Sequence, residues 1–155
     1  MRGTGRGVVV SALTTEYLAH AYAVRAALEA LTAELAADRQ HAGLIAPAEL
    51  AALDRDARDL EIVTASGNLD RAVELNRRFH RGVAELAGNP IALECLDRLW
   101  NQIIISTRAS LVPPARPQTV AAEHQRLLRA IARGDRAAAG RIAGDHARAT
   151  SSALA

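Results

Sequence analysis

With 155 residues, the chain is long enough for one domain with a buried core and too short for two. Its net charge of +2 comes from 19 basic residues, all arginine, interleaved with 17 acids. No basic block is present that would track a phosphate backbone, and no run approaches the ~20 apolar residues of a membrane span. Half the residues are apolar, with alanine and leucine dominant and aromatics at 3%. That is an all-helical composition. The single Cys95 excludes an internal disulfide, fits a reducing cytoplasm, and is expected to serve packing.

Residues 1–13 differ from the rest. Gly3, Gly5 and Gly7 with Arg2 and Arg6 precede Val8, Val9 and Val10, a glycine-punctuated turn feeding a short strand. The apolar patch is broken by Thr14, Thr15 and Glu16, so it is not read as an export signal. A first helix, capped by Thr14 or Thr15, runs to about Arg39 with Tyr17, Ala21, Val24, Leu28, Leu31 and Leu35 as its expected buried stripe. His20 and His41 fall at its edge and end, as boundary residues. Pro47 opens a second helix with Leu50, Leu53, Ala57 and Leu60 inward, closed by Gly67 and Asn68.

The third helix carries Leu69, Ala72, Val73, Phe79, Val83 and Ala87 at i, i+3, i+4, i+7 spacing and stops at Gly88-Asn89-Pro90. Asn76 and His80 lie on the same stripe, one turn apart. A fourth helix, Pro90 to about Leu111, is apolar nearly all round and is therefore expected at the centre of the bundle. A fifth begins near Pro117 and buries Val120, His124, Leu127, Leu128 and Ile131. After Gly134-Asp135 a sixth buries Ala138, Ile142, His146 and Ala149. Six amphipathic helices with short links predict an antiparallel all-α bundle over residues 14–155.

Three inward histidines and an amide in an aliphatic interior call for a shared partner, because unpaired buried polar groups are costly. Imidazole nitrogens from three helices suit Zn²⁺ or Ni²⁺ and leave positions open for water or a carboxylate. A metal-dependent hydrolase would use the same histidines, but the helical spacing turns Glu123 about 100° from His124, leaving no evident inward general base. A metal-free dimerisation module is the other reading.

Asn76-Arg77-Arg78-Phe79-His80 followed by Glu85-Leu86-Ala87-Gly88-Asn89-Pro90 resembles the D-x-x-F-H…a-g-N-P signature of the FCD effector domain. That domain is the C-terminal, ligand-sensing half of GntR-family transcriptional regulators of the FadR subfamily. Glu123-His124 through Ile131 with Gly134-Asp135 is similar to its e-H-x-x-I-x-x-A-I-x-x-G-D segment. Asp145-His146 resembles its last histidine motif, and Val24-Arg25-Ala26-Ala27-Leu28-Glu29 its v-R-x-x-L-E opening.

The resemblance implies that Asn76, His80, His124 and His146 hold a divalent metal, with Asn76 in place of the usual aspartate. It implies that a small organic acid completes the site, and that Arg25 takes its carboxylate. Asn101 and Arg108, expected inward on the fourth helix, are further effector-binding candidates. It also implies a homodimer, a cytoplasmic location and no enzymatic activity. Residues 1–13 are read as the end of a DNA-binding wing and linker, so that DNA would be reached only through a head domain absent from this chain.

Overall fold

The computed structural model describes residues 13–112 and 116–154, apart from the Pro117 side chain, and among these there is no strand. Six helices follow one another: α1 Thr15–His41, α2 Pro47–Ala65, α3 Leu69–Leu86, α4 Pro90–Ser110, α5 Arg116–Ala132 and α6 Arg136–Ser152. The wing and strand expected within residues 1–13 lie almost wholly outside the described residues.

The boundaries follow local chemistry. Thr14, Asn68, Asn89 and Asp135 each accept a hydrogen bond from a first-turn backbone amide of the helix they precede. Pro47 and Pro90 occupy first-turn positions where a missing amide costs nothing. Gly134 turns the chain between α5 and α6 at φ +66°, and an added Cβ there would lie 2.9 Å from His41 Cβ. Left-handed backbone and close approach both demand glycine at that point.

The most extensive helix pair is α1 against α6. Ala33, Ala36 and Ala37 of α1 meet Ala138, Ala139 and Ala143 of α6 in one buried cluster that Phe79, Val83, Leu127 and Ile131 complete. Small side chains allow the two axes to come close. At Gly140 a Cβ would lie 2.5 Å from the Glu34 carboxylate, so even a methyl group would displace that side chain.

Two expectations are corrected here. α1 does not bury Val24 and Leu31, which are 53% and 38% exposed; its inward face is Tyr22, Arg25, Ala26, Glu29, Thr32, Ala33, Ala36 and Ala37. The large apolar residues mark the wrong side because the inner side is built for close packing and for polar groups. α4 is not the central helix either. It buries Ala92, Leu96, Trp100 and Ile103, while Ile91 and Ile105 are 75% and 76% exposed and Cys95 is exposed rather than packed. A helix apolar all round can equally be a peripheral one with a second face left over. The centre belongs to α1, which packs against α3, α4, α5 and α6.

Candidate functional site

Helices α3, α5 and α6 converge midway along α1. The third helix contributes Asn76 and His80, the fifth His124 and the sixth His146, all buried. His80 Nε2 lies 3.2 Å from His124 Nε2 and 3.2 Å from His146 Nε2, and ligand nitrogens of all three fall within 4.8 Å of one another. The rings of His80 and His146 stack at 4.9 Å, and His124 packs on Phe79 at 4.4 Å.

This arrangement fits a metal ion. Bonds of about 2.1 Å put neighbouring nitrogens about 3.0 Å apart in an octahedral shell and about 3.4 Å apart in a tetrahedral one, bracketing the 3.2 Å separations. His146 Nδ1 lies 2.5 Å from Glu123 Oε2, a contact that keeps the ring proton on Nδ1 and turns the Nε2 lone pair to the centre. A single Nε2–H of His80 would then have to serve two facing nitrogens at once. A cation between them removes that conflict. Burial, reinforced by neighbouring positive groups, pushes His80 and His124 well below the ordinary imidazole range, and burial lowers His146 too despite Glu123. All three are therefore neutral near pH 7, the form that binds metal.

Two carboxylates flank the cluster, and periodicity did not identify either. Glu123 is buried. Burial alone would raise its carboxyl, but hydrogen bonds from His146 and Arg116 outweigh that and hold it below the usual range. Arg116 donates to Glu123 at 3.0 Å and to Thr150 at 2.9 Å, tying the start of α5 to α6. The expectation that Glu123 points away from the interior is thus wrong. It reaches across to the next helix, which a single-helix wheel cannot represent.

On the opposite side Glu29 Oε1 accepts from Arg25 Nε at 2.7 Å and from Trp100 Nε1 at 3.1 Å. Its Oε2 is buried without a partner among the described residues, 3.6 Å from His80 Nδ1. Glu29 stands in the quoted Val24–Glu29 segment, so the signal was present but unread.

Arg25 is fully enclosed, with Tyr22 beneath its guanidinium at 5.3 Å. It lines a narrow cleft with Asn76, Arg77, His80, Trp100 and Thr107, whose free space of about 10 Å³ suits a single water. Asn76 makes no side-chain hydrogen bond to another described residue, leaving its amide to face this cleft. Asn101 and Arg108 do not line it. Asn101 is exposed and accepts from Arg77 Nη1 at 2.6 Å, and Arg108 is exposed and paired with Asp70 at 2.8 Å. Both lie on the outer side of α4, a consequence of that helix being peripheral. Arg77, which sequence reasoning passed over, is the second cation at the cleft.

The model of the FCD domain family matches residues 20–149. Among solved structures, E. coli McbR/YncC shares the fold with a TM-score of 0.82 at 19% identity, over 94% of this chain and 71% of that one. No curated protein sequence matches. Among the described residues, no helix is long and apolar enough to cross a membrane.

Proposed function

The chain belongs to the FCD domain family, and on that premise we propose that it is the effector-sensing domain of a bacterial GntR-type transcriptional regulator. In this reading a divalent ion, Zn²⁺ or Ni²⁺, is held by His80, His124 and His146, with the Asn76 amide as a fourth, neutral donor. A small carboxylate metabolite completes the site. The observation that carries the proposal is the convergence of three neutral imidazoles, two pairs of whose Nε2 atoms are 3.2 Å apart.

When bound, the ion supplies a Lewis-acid anchor for a carboxylate oxygen. The chain's own residues do the rest. Glu123 orients His146 and fixes its tautomer. Arg25, buried and rigid, offers a cation to the second carboxylate oxygen, and a guanidinium suits that geometry. Asn76 in place of aspartate removes one negative charge, so the metal is held more weakly and the pocket is less repulsive to an anion. Catalysis is no part of this reading. Glu123 is committed at both oxygens, to His146 and to Arg116, and so does not serve as a general base.

The same proposal includes a cytoplasmic homodimer. Val24 on α1 with Ile91 and Ile105 on α4 leaves apolar side chains in water that a second copy would cover. DNA contact would come from a head domain outside these 155 residues, with residues 1–13 as the end of its wing and linker.

The deciding experiment is elemental analysis of protein purified without a histidine tag, beside the His80→Ala/His124→Ala variant. About one ion per chain, absent from the variant, is expected from a site with three histidine ligands. A wild type that stays metal-free after incubation with Zn²⁺ and Ni²⁺ would overturn the metal and direct attention to Arg25 alone. With metal established, a thermal-shift screen of small carboxylates identifies the ligand class.

A further inference from the structure

Glu29 is the one carboxylate at the site with an oxygen left over. Oε1 already takes two donors, Arg25 Nε at 2.7 Å and Trp100 Nε1 at 3.1 Å. Oε2 takes none, although Glu29 is only 4% exposed. A buried carboxylate oxygen without a donor is expensive, and His80 Nδ1 lies 3.6 Å away, just beyond hydrogen-bond distance. Glu123, by contrast, already makes the equivalent contact to His146 at 2.5 Å. The two sides of the cluster therefore differ in one respect: one carboxylate has closed on its histidine and the other has not.

Resting on the metal-site reading above, we propose that Glu29 is a positioning residue that couples Arg25 to His80. A metal on His80 Nε2 leaves the ring proton on Nδ1, and the Nδ1–H then faces the vacant Oε2. The carboxylate shifts by the few tenths of an ångström that separate 3.6 Å from a hydrogen bond, and its other oxygen loosens its hold on Trp100 and Arg25. The Arg25 guanidinium is thereby freed to take an incoming anion. Metal and carboxylate each favour the arrangement the other requires, so each tightens the binding of the other by the same factor.

Trp100 is the chain's only tryptophan, which gives the movement its own reporter. Its indole N–H gives one resonance in a ¹H–¹⁵N spectrum, and that proton is the one Glu29 accepts. Titrating zinc alone into the wild type is expected to move this resonance until the site is full. Glu29→Gln should bind zinc about tenfold more weakly by chelator competition, in line with the loss of a ligand-orienting partner, and its indole resonance should stay still. Glu29→Asp keeps the charge beside Arg25 but withdraws from His80. It should show the same weakening in a variant that retains the buried ion pair and hence the fold.

A wild type that binds zinc with a stationary indole resonance would overturn the coupling while leaving the metal site intact. So would Glu29→Gln and Glu29→Asp variants that bind zinc as tightly as wild type. A wild type that binds no zinc would remove the metal reading and this inference with it.

Discussion

The two sides of the histidine cluster are built on opposite plans. Towards α5 and α6 the carboxylate is tied at both oxygens. Glu123 bonds His146 and Arg116, Arg116 reaches Thr150, and the ring tautomer is set before any ligand arrives. Towards α1 and α4 the network is incomplete, with an unpartnered Glu29 oxygen, an unengaged Asn76 amide and a cleft between helices. In the proposed function one side is the scaffold and the other the sensor. A buried carboxylate held at both oxygens resists change, whereas one with an oxygen left over has somewhere to go.

The largest effect that would test this contrast comes from the scaffold. Glu123→Gln replaces one of the two acceptor oxygens by a donor NH2, so that His146 Nδ1–H and the Arg116 guanidinium can no longer both be satisfied, and it leaves Arg116 buried beside a neutral amide. Zinc affinity is expected to fall 10- to 100-fold, read by chelator competition, with a visibly lower melting temperature. A variant as tight and as stable as wild type would end the distinction between the two sides.

On the sensor side, Arg25→Met should leave about one zinc per chain while abolishing carboxylate-induced thermal shifts. Metal lost together with the carboxylate response would mean that Arg25 belongs to the scaffold instead.

The pH dependence of the metal-free protein sharpens the comparison further. His80, His124 and His146 are held below the 6.5 typical of the unfolded chain. Between the folded and unfolded values the unfolded state binds more protons, so stability rises with pH. The contribution is complete above about pH 6.5 and is lost as pH falls, by at most about 1.4 kcal/mol per pH unit for each histidine. Glu123, also held below its usual range, adds a loss of the same sign at more acidic pH. Denaturant melts from pH 8 to pH 5 should show the decline, and zinc should flatten it because bound imidazoles cannot take up the proton. The smallest effect is expected at Arg108→Ala. Its pair with Asp70 is exposed on both sides, so melting temperature and carboxylate response should hardly change.

How far the sequence could be read depended on whether a residue acts within its helix or between helices. Caps, prolines and glycines marked all six helices, because those signals are local. The inward placement of Asn76, His80, His124 and His146 followed from their position among apolar neighbours on strongly amphipathic helices. α1 defeated the same method: its inner face carries alanine, arginine and glutamate while valine and leucine look outward, so a hydrophobic stripe points to solvent. Glu123 and Glu29 were missed because the groups that draw them to the cluster, His146 for the one and Trp100 and His80 for the other, sit on other helices, and no spacing within one helix encodes that. Asn101 and Arg108 were placed inward on the assumption that an all-apolar α4 must be central.

The narrowness of the Arg25 cleft bears on kinetics. The cleft admits little more than a water-sized probe, so a carboxylate bound beside Arg25 would need the walls formed by α3 and α4 to move apart. The observed binding rate would then rise with ligand concentration only until it meets the opening rate of those walls, and level off there. As the proposed sensor, the domain would respond at a tempo set by its own breathing, and a brief pulse of metabolite would pass it by unregistered.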